Sequence, residues 1–152
     1  MFETAIEQFN AQNFYECHDT LEALWMEAIE PDRTFYQGLL QTAVGLYHFR
    51  NRNWRGAAIL LGEGRGRLES YRPVYENIDL NAFLKSTQDW LELAQRHSHS
   101  SPSPNHSTSK DPSIEPNPQE TIAPDCLGLE QLQLPWPKIT RCQPPLAMKP
   151  SF

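Results

Sequence analysis

Between Thr34 and Arg50 the chain reads FYQGLLQTAVGLYHF, apolar on almost every side and free of proline. A helix of that composition cannot rest on a surface, so other helices must cover it. Phe2, Ala5, Ile6 and Phe9 recur at steps of three and four, which is the helical period. Asn13 stands as cap for a second helix, with Glu16 three residues on as in a capping box, and Phe14, Cys17, Leu21, Trp25 and Ala28 carry its stripe to Pro31. Asn53 opens a fourth helix in which Ala57, Leu60, Leu61, Gly64, Leu68 and Tyr71 share one face before Pro73. A fifth runs from about Leu80 to Gln95, with Phe83, Leu84, Thr87, Trp90, Leu91 and Ala94 inward. No alternating strand pattern and no internal repeat stands out. The expectation is an all-α fold, a single bundle of about five helices over residues 1–97.

The remainder is a different kind of polymer. Eleven of the 13 prolines fall between Pro102 and Pro150, whereas six of the seven glycines precede residue 98. Residues 98–124 are polar and rich in serine and proline, so ordering them would cost entropy without compensating burial; a disordered linker is expected. Residues 125–152 form a tail in which Leu127, Leu129, Leu132, Leu134, Trp136 and Ile139 make an apolar island among prolines. Residues 127–139 are expected to dock, on the chain's own bundle or on a protein partner.

Charge narrows the function classes. Up to residue 97 there are 9 basic and 14 acidic residues, net −5, and afterwards 4 and 5, net −1. Neither a generic nucleic-acid binder nor an anionic-membrane binder is expected, since both need a basic field. No window reaches the roughly 18 apolar residues of a spanning helix, and the N-terminal MFETAIEQFN carries acids where a secretory signal carries bases. A cytoplasmic protein is expected. Cys17, Cys126 and Cys142 are odd in number and lack CxxC spacing, which excludes a disulfide framework or zinc knuckle.

The polar residues inside the helices carry the functional signal. On a 100° wheel His18 lies within about 60° of Phe14, Leu21, Trp25 and Ile29, and Glu22 about 40° to its side, so both approach the interior, with Glu16 nearby. Gln37, Gln41 and His48 fall within about 40° of one another on the third helix, bordered by Gly38 and Gly45. Glycine costs roughly 1 kcal/mol in a helix, so two beside a polar line point to a closely approaching neighbour, expected to be the second helix. Two readings follow. One is a structural hydrogen-bond network that fixes register. The other is a cleft in which His18, Glu22 and His48 hold a divalent metal ion, Glu22 or Glu16 is the catalytic base, and Gln37, Gln41 and Trp25 support them. Gln41 and His48 lie about 10.5 Å apart along the axis, too far for one ion to span that line.

The run FYECHDTLEALWMEA, followed by YQGLLQTAVGLYHFRNRNWRGAAILL and by Leu68 and Glu69, resembles the small bacterial and archaeal helical family known as domain of unknown function 309. His18, Glu22 and Trp25 match its His-x-x-x-Glu-x-x-Trp signature, Gln37, Gly38, Gln41 and His48 its Gln-Gly-x-x-Gln helix with a histidine, and Gly56 and Ala57 its small pair. The resemblance covers roughly residues 9–72. It implies an all-helical bundle and a metal-dependent hydrolase, without naming a substrate. The competing class is a non-enzymatic interaction module that presents helical or tail surfaces.

Weaker signals receive plain readings. GEGRGR lacks the strand and the Lys-Ser/Thr of a phosphate loop, so Glu63 with Arg67 and Arg65 with Glu69 are expected as exposed ion pairs. Arg50, Arg52 and Arg55 around Trp54 are expected in a solvated turn, and His97, His99 and His106 in the linker.

Overall fold

The computed structural model describes residues 1–100 and 134–142. Five helices follow one another: α1 (Phe2–Asn10), α2 (Phe14–Glu27), α3 (Asp32–Arg50), α4 (Trp54–Leu68) and α5 (Leu80–Ser100). Each packs on its successor, and between α4 and α5 a 3-10 turn (Glu69–Tyr71) and a hairpin of β1 (Val74–Tyr75) and β2 (Ile78–Asp79) intervene before α5 returns along α4. The all-α bundle is as expected. Helix α3 contributes nine buried residues, from Phe35 to Phe49, more than any other helix, and so occupies the centre.

The α1–α2 and α3–α4 turns use one solution. Gln12 at φ 63° and Arg52 at φ 59° each stand in the left-handed region directly before an asparagine. Asn13 N–H donates to the Gln8 carbonyl and Asn53 N–H to that of His48, at 2.9 Å in both, the six-to-one bond that closes a helix end before the chain reverses. Across each turn an aromatic pair meets edge to face, Phe9 with Phe14 at 5.4 Å and Phe49 with Trp54 at 5.0 Å. The sequences FNAQNF and FRNRNW lie 40 residues apart, and so do the buried pairs Ile6 and Leu46, Cys17 and Ala57, and Leu21 and Leu61. Residues 2–68 thus form two helical hairpins with matching turns, and on α5 Phe83 meets Phe9 and Trp90 meets Phe49. The likeness lies in burial and turn geometry rather than in residue identity.

Close approach of α3 and α4 is written in glycine. A Cβ on Gly38 would lie 2.7 Å from Leu68 Cγ, one on Gly45 2.8 Å from Leu61 Cγ, and one on Gly64 2.8 Å from the Gly38 carbonyl oxygen. The near neighbour of the α3 glycines is therefore α4, where the sequence pointed to α2. Gln41 lies between Gly38 and Gly45 on that same face and turns the same way.

One boundary and one element differ from expectation. Helix α5 continues to Ser100, beyond the expected Gln95, because His97 stacks on Trp54 at 4.6 Å and the Ser98 and Ser100 hydroxyls donate to the Gln95 and Arg96 carbonyls. The hairpin was not foreseen, since two-residue strands are too short to alternate. It turns through Glu76 and Asn77, both left-handed, as a two-residue hairpin demands.

The described end of the tail lies on the bundle. Trp136 stacks on Trp90 at 4.1 Å, with Phe14 at 5.6 Å and the Arg50 guanidinium over its ring at 5.4 Å. Arg50 thus covers aromatic faces, in contrast to the solvated turn expected for it. Ile139 is buried, and Asn10 clamps its backbone by donating to its carbonyl at 3.0 Å and accepting from its N–H at 2.8 Å. Asp79 N–H donates to the Thr140 carbonyl and Cys142 N–H to that of Asn77, so the segment runs against the hairpin, and Arg141 pairs with Glu3. Residues 101–133, which include most of the expected linker and Leu127, Leu129 and Leu132, lie outside the described residues.

Candidate functional site

Helix α2 carries the polar group of greatest chemical interest. His18, Asp19 and Glu22 each offer a ligand atom, and these atoms lie within 4.8 Å of one another. The spacing i, i+1, i+4 puts His18 and Glu22 one turn apart on one face, with Asp19 flanking. Asp19 Oδ1 is 3.1 Å from His18 Nδ1, so when it accepts the Nδ1 proton it leaves the Nε2 lone pair free for a ligand. The His18 side chain is 29% exposed, and Asp19 and Glu22 are exposed. The group faces outward, where the sequence placed His18 and Glu22 toward the interior; a residue at the edge of an apolar stripe reaches solvent as readily as core.

The aromatic ring of Tyr15 lies one turn before His18, at 6.3 Å, and Tyr15 meets Tyr47 of α3 at 6.0 Å. Tyr47 in turn lies 6.2 Å from His48. Three successive ring contacts therefore separate the two histidines, and His48 is not in the ligand group. Its Nδ1 is 3.3 Å from the Asn53 amide nitrogen, and partial burial lowers its pKa from the usual imidazole value.

The other sequence-selected residues are placed elsewhere. Gln41, 8% exposed, donates to Glu63 Oε2 at 2.7 Å and accepts from Arg67 Nε at 2.8 Å, so both ends of its amide are closed by α4. Glu63 and Arg67, expected as an exposed pair, meet through Gln41. Gln37, half-buried one turn earlier, joins neither group. Trp25 lies under the Arg33 guanidinium at 5.2 Å, its Nε1 buried with no partner among the described residues. Glu16 is exposed and about 160° round the helix from His18, which removes it from any shared chemistry. Cys17 is fully buried, its Sγ donating to the Ala5 carbonyl at 3.4 Å, and burial pushes its pKa up to about 12. Asp19 is the group member that sequence reasoning missed; its adjacency to His18 was the available signal.

One imidazole and two carboxylates on one exposed helical turn form a donor set suited to a borderline or hard divalent cation, and the solvent side leaves further coordination positions open.

Residues 2–60 are matched by the model of the family described as Domain of unknown function (DUF309). The resemblance read from the sequence is supported. The match takes in the α2 group and stops short of Leu68 and Glu69. A Bacillus subtilis (strain 168) protein, named "Uncharacterized protein YpuF", is 33% identical over 100 residues, which is 53% of this chain and 58% of that protein. The chain thus spans somewhat over half the length of this curated relative. No solved structure matches significantly. Among the described residues no helix is long and apolar enough to cross a membrane.

Proposed function

We propose that the protein is a metal-dependent hydrolase whose divalent ion is held on the exposed face of α2 by His18, Asp19 and Glu22. The observation that carries the reading is the convergence of the three ligand atoms within 4.8 Å. A bound divalent ion would supply Lewis acidity and a water of lowered pKa. The chain's own part is to hold three donors on one turn, to fix the His18 tautomer through Asp19, and to offer the ring of Tyr15, itself backed by Tyr47, beside His18. With a neutral imidazole the group carries two negative charges, which attract a cation and disfavour an unassisted anionic substrate.

Titration calorimetry of the full chain with Mn²⁺ and Zn²⁺ tests the first half of the reading. One ion per chain is expected, weakened at least about tenfold in His18→Ala and in Glu22→Gln and unchanged in Gln41→Ala. Hydrolysis of p-nitrophenyl esters and phosphodiesters, dependent on the same ion and lost in the same two variants, tests the second half. Binding that is equal in His18→Ala and the parent chain would overturn the site.

A second reading, a non-enzymatic interaction module, is favoured by the closed pairing of Gln41 with Glu63 and Arg67, which has the form of a register-fixing network. Under that reading Gln41→Ala lowers the melting temperature and His18→Ala changes neither stability nor metal content.

A further inference from the structure

The surface that receives residues 136–142 has the anatomy of a peptide-recognition site. At its centre is an aromatic pit, walled by Phe14, Phe49 and Trp90 and closed on one side by the Arg50 guanidinium, which lies over both Phe14 and the inserted Trp136. Three residues on, Asn10 reads backbone alone, with one bond to the N–H and one to the carbonyl of Ile139. Beyond Asn10 the hairpin offers an edge: Asp79 N–H and the Asn77 carbonyl bond to Thr140 and Cys142 as a strand adding to a sheet. A pocket for an anchor, a side-chain clamp on backbone and an open strand edge are the three parts by which extended peptides are bound.

The sequence of the occupant suits an extended ligand. Trp136 stands between Pro135 and Pro137, whose fixed φ angles stiffen the extended backbone and reduce the ordering cost of binding. Residues 101–135 separate it in sequence from the end of α5, and none of the five helices includes it.

We propose that this groove recognises extended peptides of the pattern Trp-Pro-x-Ile in a partner protein, and that the chain's own residues 136–142 occupy it in cis as a competing ligand. The reading is independent of the α2 group. A segment held in cis competes intramolecularly, so a free peptide of weak affinity is held off until the segment is displaced. The groove is then closed to weak ligands and open to tight or locally concentrated ones.

The probe is a fluorescein-labelled peptide of residues 134–142, with serine in place of Cys142, titrated into full-length chains and followed by anisotropy. Trp136→Ala in the full chain removes the cis anchor and is expected to bind the peptide at least about tenfold more tightly than the parent chain. Adding Asn10→Ala to that variant is expected to weaken binding at least about tenfold, and a peptide with alanine at the tryptophan is expected not to bind. Ile139→Asp, which expels the segment by placing a carboxylate at a buried position, is the second opening variant and should behave as Trp136→Ala does. Equal peptide affinity in the parent chain and both opening variants would overturn the proposal. So would unfolding of both variants, because the segment would then be an inseparable part of the core. A parent chain that sediments as a dimer with exchanged segments would overturn occupation in cis.

Discussion

Adding one methyl group at two positions of α4, a single turn or less apart, should have opposite effects on stability. At Gly66 a Cβ meets no heavy atom within 4 Å, and the residue is exposed, so alanine there acts through helix propensity alone and stabilises by about 0.5–1 kcal/mol. At Gly64 the same methyl would lie 2.7 Å from Thr42 Oγ1, 2.8 Å from the Gly38 carbonyl oxygen and 3.0 Å from Thr42 N. Two of these atoms are backbone, and the third is held by its own bond to the Gly38 carbonyl at 2.9 Å, so no flexible end can yield. Carbon contacts relax near 3.5–4.0 Å, so α3 and α4 must separate by roughly 1 Å. Overpacking of that kind costs about 1–3 kcal/mol, offset in part by the same propensity gain, which leaves Gly64→Ala about 1–2 kcal/mol less stable than the parent chain. The two variants should therefore differ by about 2 kcal/mol, or roughly 8–16 °C in melting temperature for a domain of 60–100 residues. Thermal unfolding followed by far-UV circular dichroism reads this directly. If Gly64→Ala melts at or above the temperature of Gly66→Ala, close α3–α4 packing is not what the glycine is for.

Three further outcomes are expected. Asn53→Ala should cost about 0.5–2 kcal/mol in urea unfolding, because Asn53 Oδ1 accepts from the Gly56 N–H at 3.0 Å, while Asn13→Ala should cost distinctly less, its side chain making no such bond. With a pKa pushed up to about 12, the Cys17 thiol holds about a thousandfold less thiolate than an ordinary cysteine near pH 8, so mass spectrometry after iodoacetamide should find Cys17 unmodified in the folded chain and modified in urea. The folded-state pKa of His48 lies below the unfolded value, so the unfolded chain takes up the proton first: stability held above pH 6.5 should fall as the pH drops through the lowered pKa. Urea midpoints for His48→Gln should show a shallower decline over that window.

Helix positions were legible because burial alone sets a period along the sequence. The stripe through Phe14, Cys17 and Leu21 and the all-round apolar run of α3 need no knowledge of neighbours, and both helices begin within two residues of the expected position. Partner choice was not legible in the same way. A wheel fixes the direction in which Gln41 points relative to Gly38 and Gly45, but the identity of the facing helix depends on the turn between helices. The turn at Arg52 returns α4, with its own Gly64, against that face. The expected cleft between α2 and α3 therefore divides: Gln41 goes to Glu63 and Arg67, while His18 and Glu22 keep the outer side of α2 with Asp19. Docking of Trp136 followed from its chemistry, since an indole between prolines has much apolar surface to hide, yet its seat needed Trp90 and Phe14 brought together from helices 76 residues apart in numbering.

Asn10 and Ile139 are 129 residues apart in sequence, and their bond has a consequence for synthesis. A ribosome adding about 5–20 residues per second needs on the order of 2–7 s to pass from Ser100 to Trp136. Local helical packing of the kind that joins α1 to α5 is complete within microseconds to milliseconds. Every newly made molecule therefore spends seconds with the α5 sequence complete and the rings of Phe14, Phe49 and Trp90 not yet covered by Trp136. That interval is when a nascent chain is most exposed to chaperones and to its neighbours on a polysome, and synonymous changes that slow translation after Ser100 would lengthen it.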